Sequence, residues 1–527
     1  MKLLFQNLNK TYVVFAAFAF LVAVFYGNTL RNGFIYDDHQ QVEQNIYVHS
    51  LRYLPKVFTG CAWEYSLGQC KDRVAYWRPM QAFSYLLTYQ LSSAPFLFHL
   101  VNLLYFTAAV SALFVFARAL SGNFWFSFLS ALIFLVHPVN SEVVNWVATT
   151  SDILMVAFLF LSLTFYLKHR KAEEFLAGNI FRDKNFLISV AFYFLALLSK
   201  EPAAFMVGIV IFLDIFFFKK SFGSVFRFDS LKRYGAFVAV FLGYFAMRVA
   251  VLGGFGLGEA GNYYGEFSLA NRVYAFFTLF AAYLEKLVWP FPLMFFNFFE
   301  KKDNFVSLEF VVAFLVTLAF FAALFLLIKK KSFMAAFSLF WIFNFLAIVL
   351  TSLDSLGENI FTERYLFLSS VGFAFLVSSL LLYLWRAVSP IRFARAAVVA
   401  AVLILLLGSW QAVLARSAVW HDDEVFYKDT LSKNPRADTI RFNWGVYLRV
   451  NKGDFEGARR EFLEILERSP NRSNNTMVYL HLGDYEREIT GNTEKSLEYY
   501  RLSAEFGEKD SDWKAHFAYD RLGSYYA

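Results

Sequence analysis

The chain has little charge and almost no cysteine. Only 17% of its 527 residues are charged, against 58% hydrophobic. Soluble domains carry about a quarter charged residues, so the balance excludes an ordinary soluble enzyme. The net charge of +7 is not spread as a nucleic-acid surface, and no nucleic-acid partner is expected. Two cysteines, Cys61 and Cys70, fall in one loop. If that loop is extracytoplasmic they can pair over a short range; otherwise they are two loop thiols. No small-residue cleavage site follows the first apolar run, which is therefore expected to stay as a helix. The apolar runs also show no internal repeat.

What is abundant is apolar length. The chain holds 68 Phe and has a mean hydropathy of +0.46. Runs of about 18 or more apolar residues mark membrane helices. The pattern predicts an all-α polytopic membrane protein of about eleven spans: Thr11–Leu30, Leu97–Ala117, Phe124–Val136, Thr150–Leu167, Asn185–Ser199, Pro202–Phe218, Tyr234–Leu252, Val306–Ile328, Phe333–Leu350, Tyr365–Arg386 and Ala396–Leu414. With the N-terminus inside, the basic clusters at Lys168–Lys171, Lys219-Lys220, Lys329–Lys331 and Arg386–Arg395 all fall on the cytoplasmic side, as short loops require. The same layout places a long first loop, residues 31–95, outside. Within it Gln81–Ser92 is too short to span and reads as interfacial. Arg272–Phe299, interrupted by Pro290 and Pro292, reads as an interfacial or re-entrant helix.

Residues 1–415 thus form a membrane domain, and residues 416–527 have the composition of a soluble helical domain on the outer side. There Gly445, Gly453, Phe455, Ala458, Phe462 and Pro470 approximate a tetratricopeptide helix pair. Leu482, Gly483, Gly491, Ser496 and Tyr500 repeat it at close to the period of about 34 for such repeats.

Charged side chains at membrane depth cost roughly 2.5–3.5 kcal/mol on insertion scales, so each needs a partner or a purpose. Four groups stand out, all facing outward. Asp37 and Asp38 are adjacent acids whose repulsion can raise one pKa and suit it to accept a proton; the alternative is a solvated interface anchor. After His137-Pro138, the residues Glu142, Asn145, Thr149 and Asp152 recur at helical spacing and predict a polar stripe lining a cavity. Lys200-Glu201 joins two short spans, either as a self-neutralising pair or as part of a site. Arg78, Arg248 and Arg364 are cations suited to grip phosphate, the alternative for each being a headgroup contact. Outward acids and cations around one cavity suit transfer of a sugar from a lipid phosphate. The anionic leaving group needs cations, the acceptor hydroxyl needs one carboxylate base, and a single displacement inverts the anomeric carbon.

The segments Gly33–Asp38, Trp77-Arg78-Pro79, His99–Asn102, His137–Glu142, Ser199-Lys200-Glu201 and Glu363–Leu366 occur in the order seen in the transmembrane and tetratricopeptide-repeat O-mannosyltransferases. The chain resembles that family over nearly its whole length. The resemblance implies a C-type glycosyltransferase fold, a polyprenyl-phosphate sugar donor and transfer on the extracytoplasmic face to a hydroxyl, that of protein Ser or Thr. It implies Asp37 as the base, with Asp38 beside it. Arg364, Lys200, Arg248 and Arg78 would hold the donor phosphate, and His137, Glu142 and Asn145 would shape the acceptor site. The repeats would present the acceptor. Their small number favours a bacterial member in the inner membrane, with its active site and repeats in the periplasm. Trp77 and Asn140 depart from the residue types expected there and leave donor sugar and acceptor open. No cofactor is expected; a metal among Asp37, Asp38 and Glu142 is not diagnosed by their spacing. Two competing readings are a flippase for lipid-linked sugars and a membrane-tethered repeat scaffold.

Overall fold

The computed structural model describes residues 2–62, 64–67, 76–173, 180–218, 223, 226, 228–254, 267–297, 299–356, 359–388, 392–470, 475–509 and 514–526. Cys70, Lys219-Lys220 and Glu358 lie outside the described residues. Helices run from α1 (Lys2–Tyr26), through short α2 (Leu54–Thr59) and α3 (Glu64–Leu67), to α4 (Pro79–Leu91), α5 (Pro95–Ser121) and α6 (Phe124–Val136). Then come α7 (Ser141–Asn145), α8 (Thr150–Glu173), α9 (Lys184–Ser199), α10 (Met206–Phe212) and α11 (Phe228–Leu252). The remaining membrane-domain helices are α12 (Leu269–Val288), α13 (Leu308–Lys329), α14 (Phe333–Thr351), α15 (Leu366–Ala387) and α16 (Arg392–Val419). No strand occurs among the described residues.

Local chemistry sets the boundaries. Pro95 opens α5, where its missing N–H costs nothing, and Gly122 closes it at φ +66°, a conformation only glycine adopts freely. Asn123 then caps α6 by accepting the Phe126 N–H. Ser268 and Asn271 form a reciprocal capping box at the start of α12.

All eleven predicted spans are helical. Among the described residues, eight helices are long and apolar enough to cross a membrane. Of the other three, α6 bends by 56° into 138–145, α9 has 16 residues, and residues 201–217 form a 3₁₀ turn, α10 and a π turn in succession. The segment read as one interfacial helix over Arg272–Phe299 is α12, which ends at Val288 before the prolines.

At the centre is the span that contains α8, of whose apolar window 89% is buried, against 6% for the span of α16. It packs on α5 and α9, while α15 packs on α6 and α14. Its end away from Asp152 carries a second charged cluster. Asp214 accepts from Tyr166 Oη, Arg170 Nε and Tyr234 Oη, each at 2.8 Å. Asp152, at the other end of α8, lies about 27 Å away at the helical rise per residue. The two polar clusters are thus separated by roughly one hydrocarbon thickness.

Lipid is as apolar as a side chain, so these helices are held by close contact more than by exclusion of water. Gly372 of α15 shows it: an added Cβ would stand 2.6 Å from Ser338 O and 2.8 Å from Ile342 Cγ1 of α14. Gly372→Ala should therefore force α14 and α15 apart at about 1–3 kcal/mol. Thermal unfolding in detergent checks this against Gly235→Ala, which meets nothing within 4 Å and should be neutral or stabilising.

Beyond α16, helices α17 (Asp423–Lys433), α18 (Asp438–Tyr447), α19 (Phe455–Arg468), α20 (Asn475–Tyr485), α21 (Thr493–Lys509) and α22 (Ala515–Tyr526) stack in sequence. Gly445 faces the Phe462 ring, and Gly483 faces the Tyr500 ring. Each first helix ends in a π turn, 448–452 and 486–490, closed by Gly453 (φ +64°) and Gly491 (φ +69°). The two helix pairs therefore repeat after 38 residues, longer than the tetratricopeptide period.

Candidate functional site

The two adjacent acids have different environments. Asp38 is buried, and both carboxylate oxygens serve the backbone: Oδ1 accepts the Ala148 N–H at 2.7 Å and Oδ2 the Ile35 N–H at 3.3 Å. It fastens the first loop to the chain leading into α8. Burial nonetheless pushes its pKa up, against those two hydrogen bonds. Asp37 is half-buried, and among the described residues its carboxylate meets no hydrogen-bond donor and no ion-pair partner. Burial pushes its pKa up to about 6, with Arg364 pulling the other way. At neutral pH Asp37 is thus an ionised, unengaged carboxylate near a guanidinium.

The loop that carries it is strained. Tyr36 has φ +50°, which costs a non-glycine residue roughly 1–2 kcal/mol. Its ring is packed against Trp146, Phe295 and Phe426 at 5.6–6.1 Å between centroids, and this packing opposes the strain.

Arg364 lies between the acids of two segments. Its Nη1 donates to Glu142 Oε1 at 3.0 Å and to Thr362 Oγ1 at 3.2 Å. The guanidinium also covers the Trp146 and Tyr365 rings at 5.7 and 5.4 Å, an added electrostatic attraction. Glu142 is wholly buried; its Oε2 and the Oδ1 of Asn145 have no partner among the described residues. Both oxygens are themselves buried, so each is a polar atom held inside the protein without a partner among the described residues.

The stripe expected on one helical face is not formed. Asn145 ends α7, Trp146 is extended (φ −91°, ψ 120°), and a 3₁₀ turn over Val147–Thr149 precedes α8. The cause is side-chain competition for the backbone: Asp38 takes the Ala148 N–H, and Thr149 Oγ1 donates to Val143 O and Trp146 O at 2.8 and 2.6 Å. The break sends Glu142 to Arg364 and Asp152 to Lys200.

Lys200 and Glu201 do not neutralise each other. Lys200 Nζ reaches Asp152 Oδ2 at 2.5 Å, and Arg78 Nη2 reaches Glu201 Oε2 at 3.3 Å. Arg78 also stacks on Tyr76 at 4.6 Å. Arg248, buried on α11, interacts electrostatically with Glu201, and Arg364 with Asp152 and Lys200. The four cations therefore form one field with Glu142, Asp152 and Glu201, and Arg416 also acts on Glu142.

His137 stands apart in its bonding. Its Nε2 donates to Leu287 O at 2.9 Å and its Nδ1 accepts the Val139 N–H at 3.3 Å, so it caps a turn and ties down the end of α12. Glu363, next to Arg364, likewise accepts the Met294 N–H at 2.7 Å. Cys61 is disulfide-bonded, and the chain has one other cysteine, Cys70. Among the described residues no three His, Cys, Asp or Glu side chains converge as metal ligands; Asp38 is turned to the backbone instead.

Sequence reasoning missed the covering layer of this site. Trp146, Phe295, Trp420, Phe426 and Tyr427 form one aromatic cluster with Ile35. Asp423 reaches the acid loop from the C-terminal domain. The aromatic enrichment around Trp420–Tyr427 was the available signal; nothing local marks Asp423.

No family model matches the chain. A protein O-mannosyl-transferase of Caenorhabditis elegans is 24% identical over 457 residues, covering 84% of this chain and 61% of that protein. TMTC2 of Mus musculus, also a protein O-mannosyl-transferase, is 32% identical over 146 residues, 27% of this chain and 17% of the relative. The mouse enzyme TMTC3 is 28% identical over 197 residues, 37% of this chain and 21% of the relative. The chain thus matches less than two thirds of the length of each of these relatives, 61% of the first and about a fifth of the other two. Among solved structures, an Archaeoglobus fulgidus oligosaccharyltransferase aligns with a TM-score of 0.47 at 11% identity, covering 77% of this chain and 55% of that one. Over 84% of its length the chain is similar in sequence to a protein O-mannosyl-transferase of Caenorhabditis elegans, of the kind its motifs resemble.

Proposed function

We propose that the protein is an integral membrane glycosyltransferase that moves a sugar from a polyprenyl phosphate to a hydroxyl acceptor, a Ser or Thr of a protein. The observation that carries this is Asp37: a half-buried carboxylate without a partner among the described residues, beside the Arg364 guanidinium. In the proposed step Asp37 takes the proton of the acceptor hydroxyl, whose oxygen bonds to the anomeric carbon. The bond from that carbon to the phosphate oxygen breaks, and polyprenyl phosphate leaves with the electron pair. Arg364, Lys200, Arg78 and Arg248 meet its charge, so no general acid is required. One displacement inverts the anomeric centre.

The Glu142 and Asn145 oxygens without a partner among the described residues suit an acceptor or sugar hydroxyl, while His137 acts as a cap. The relatives' names support mannose as the sugar and protein as the acceptor. Basic span ends support an extracytoplasmic site with the C-terminal helices on the same side, and the small number of repeats favours a bacterial inner membrane.

The pH profile of transfer tests this reading, using purified protein, synthetic polyprenyl-phosphate mannose and Ser/Thr-rich peptides. The groups facing Asp37 are Arg364, Asp38 and Tyr427. The base works only when ionised, so kcat/KM should rise tenfold per pH unit below about 6 and level off above it. A flat profile from pH 4 to 8 would remove Asp37 as the base. Donor movement across vesicles with no mannosylated product would favour a flippase.

A further inference from the structure

The C-terminal domain holds the acid loop at both ends of the acid pair. Asp423 opens α17, and its carboxylate is divided between the residues flanking Asp37-Asp38. Oδ1 accepts the Tyr36 N–H at 3.0 Å, and Oδ2 accepts from His39 Nε2 at 2.7 Å. Two further bonds reinforce the grip: Gly33 N–H to His421 O at 2.8 Å, and Asn32 Nδ2 to Ser417 O at 3.3 Å. The partners are 384–388 residues apart in sequence, so only the docked fold supplies them.

The clasp sits where the loop is least stable by itself. Tyr36 is held at positive φ, and its amide needs an acceptor in that conformation. Asp423 supplies it while the Tyr36 ring enters the aromatic cluster that contains Phe426 of the same helix α17. The Asp423 carboxylate is 14% exposed, so its bonds compete little with water. Asp423 is dispensable for the start of its own helix, since Asp422 caps it by accepting the Val425 N–H at 2.9 Å. Its geometry is spent on the loop.

We infer that Asp423 is a positioning residue for the acid loop: through Tyr36 and His39 it sets where the Asp37 carboxylate points, making the C-terminal domain part of the active site. The inference rests on Asp37 being the base. It adds that docking of the C-terminal domain is a condition for turnover beyond any role in holding acceptor. The charge on His39 supports it, because Asp423 first and then Glu43 push the imidazole pKa up to about 9, with Asp38 also facing the ring. The clasp is thereby an ion pair at neutral pH.

Two readouts on the full-length protein in nanodiscs test the clasp separately from the chemistry. Hydrogen exchange over residues 33–40 should rise at least tenfold in Asp423→Ala, and less in Asp423→Asn, which keeps one oxygen acceptor. Exchange in α8 and in α19–α21 should not change, which shows that both variants fold. Transfer from synthetic polyprenyl-phosphate mannose should lose kcat in the same order, Ala more than Asn, with donor KM unchanged. Unchanged exchange over 33–40 in Asp423→Ala overturns the clasp. So does raised exchange with undiminished kcat, in a protein whose Asp37→Asn variant is inactive. If Asp37→Asn turns over normally, or the wild type does not use this donor, the proposed function fails instead, and exchange alone still decides whether Asp423 holds the loop.

Discussion

Asp37→Asn is expected to lower transfer by about a thousandfold or more while the protein stays folded. General-base catalysis contributes roughly 10²–10⁴-fold, and Asp37 is the acid of the pair whose oxygens meet no partner among the described residues. Donor KM should change little, since Asn is neutral and nearly isosteric and the cations remain. Stability should hold or improve. The raised pKa of Asp37 means that burying its charge opposes folding, most fully above pH 6; an amide removes that cost. Asp38→Asn should behave differently. It turns an NH₂ toward the Ala148 or Ile35 amide, loosens the join between the first loop and α8, and lowers melting temperature along with activity. Turnover and thermal unfolding measured on both variants separate base from brace. Full activity in Asp37→Asn would end the assignment.

Arg364→Ala should be costly twice over. It removes a proposed phosphate ligand, the cation whose charge acts on Asp37, and it strips the wholly buried Glu142 of its ion pair. Breaking such a pair from one side costs about 3–5 kcal/mol, because the remaining charge stays buried. Rate loss in the single variant therefore mixes chemistry with folding. The double variant Arg364→Ala/Glu142→Gln resolves the mixture: neutralising the orphaned carboxylate should recover most of the melting temperature, while donor KM stays high. Arg364→Lys keeps the charge but loses the two-pronged geometry and the stacking on Trp146 and Tyr365, so its donor KM should fall between wild type and Ala. An unchanged donor KM and rate in Arg364→Ala would count against its role.

How much of this was readable from residue order varies from group to group. The helical segments were, because apolar runs are local and lipid demands that their backbones bond internally. Glu142, Lys200 and Arg364 were picked out because a charge in an apolar run is anomalous whatever its partner. Their pairings were not legible. Glu142 meets Arg364 from 222 residues away, and Lys200 passes over its neighbour Glu201 for Asp152. The helical stripe through Glu142 and Asp152 failed for a related reason. Periodicity assumes an unbroken helix, and Asp38, distant in sequence, takes the Ala148 amide and helps break it.

By itself the sequence determined the class of molecule: an all-α chain with apolar helices long enough to cross a membrane. Composition and periodicity suffice because each segment's burial depends on its own residues. Only the tertiary structure separated Asp37 from Asp38, whose local sequences are nearly the same. It did so by giving Asp38 two backbone amides to accept and Asp37 none among the described residues. It also brought Asp423 to the loop they share. Hydrogen bonds and charge pairs are short-ranged and directional, so which atoms they join is settled by packing and not by order along the chain.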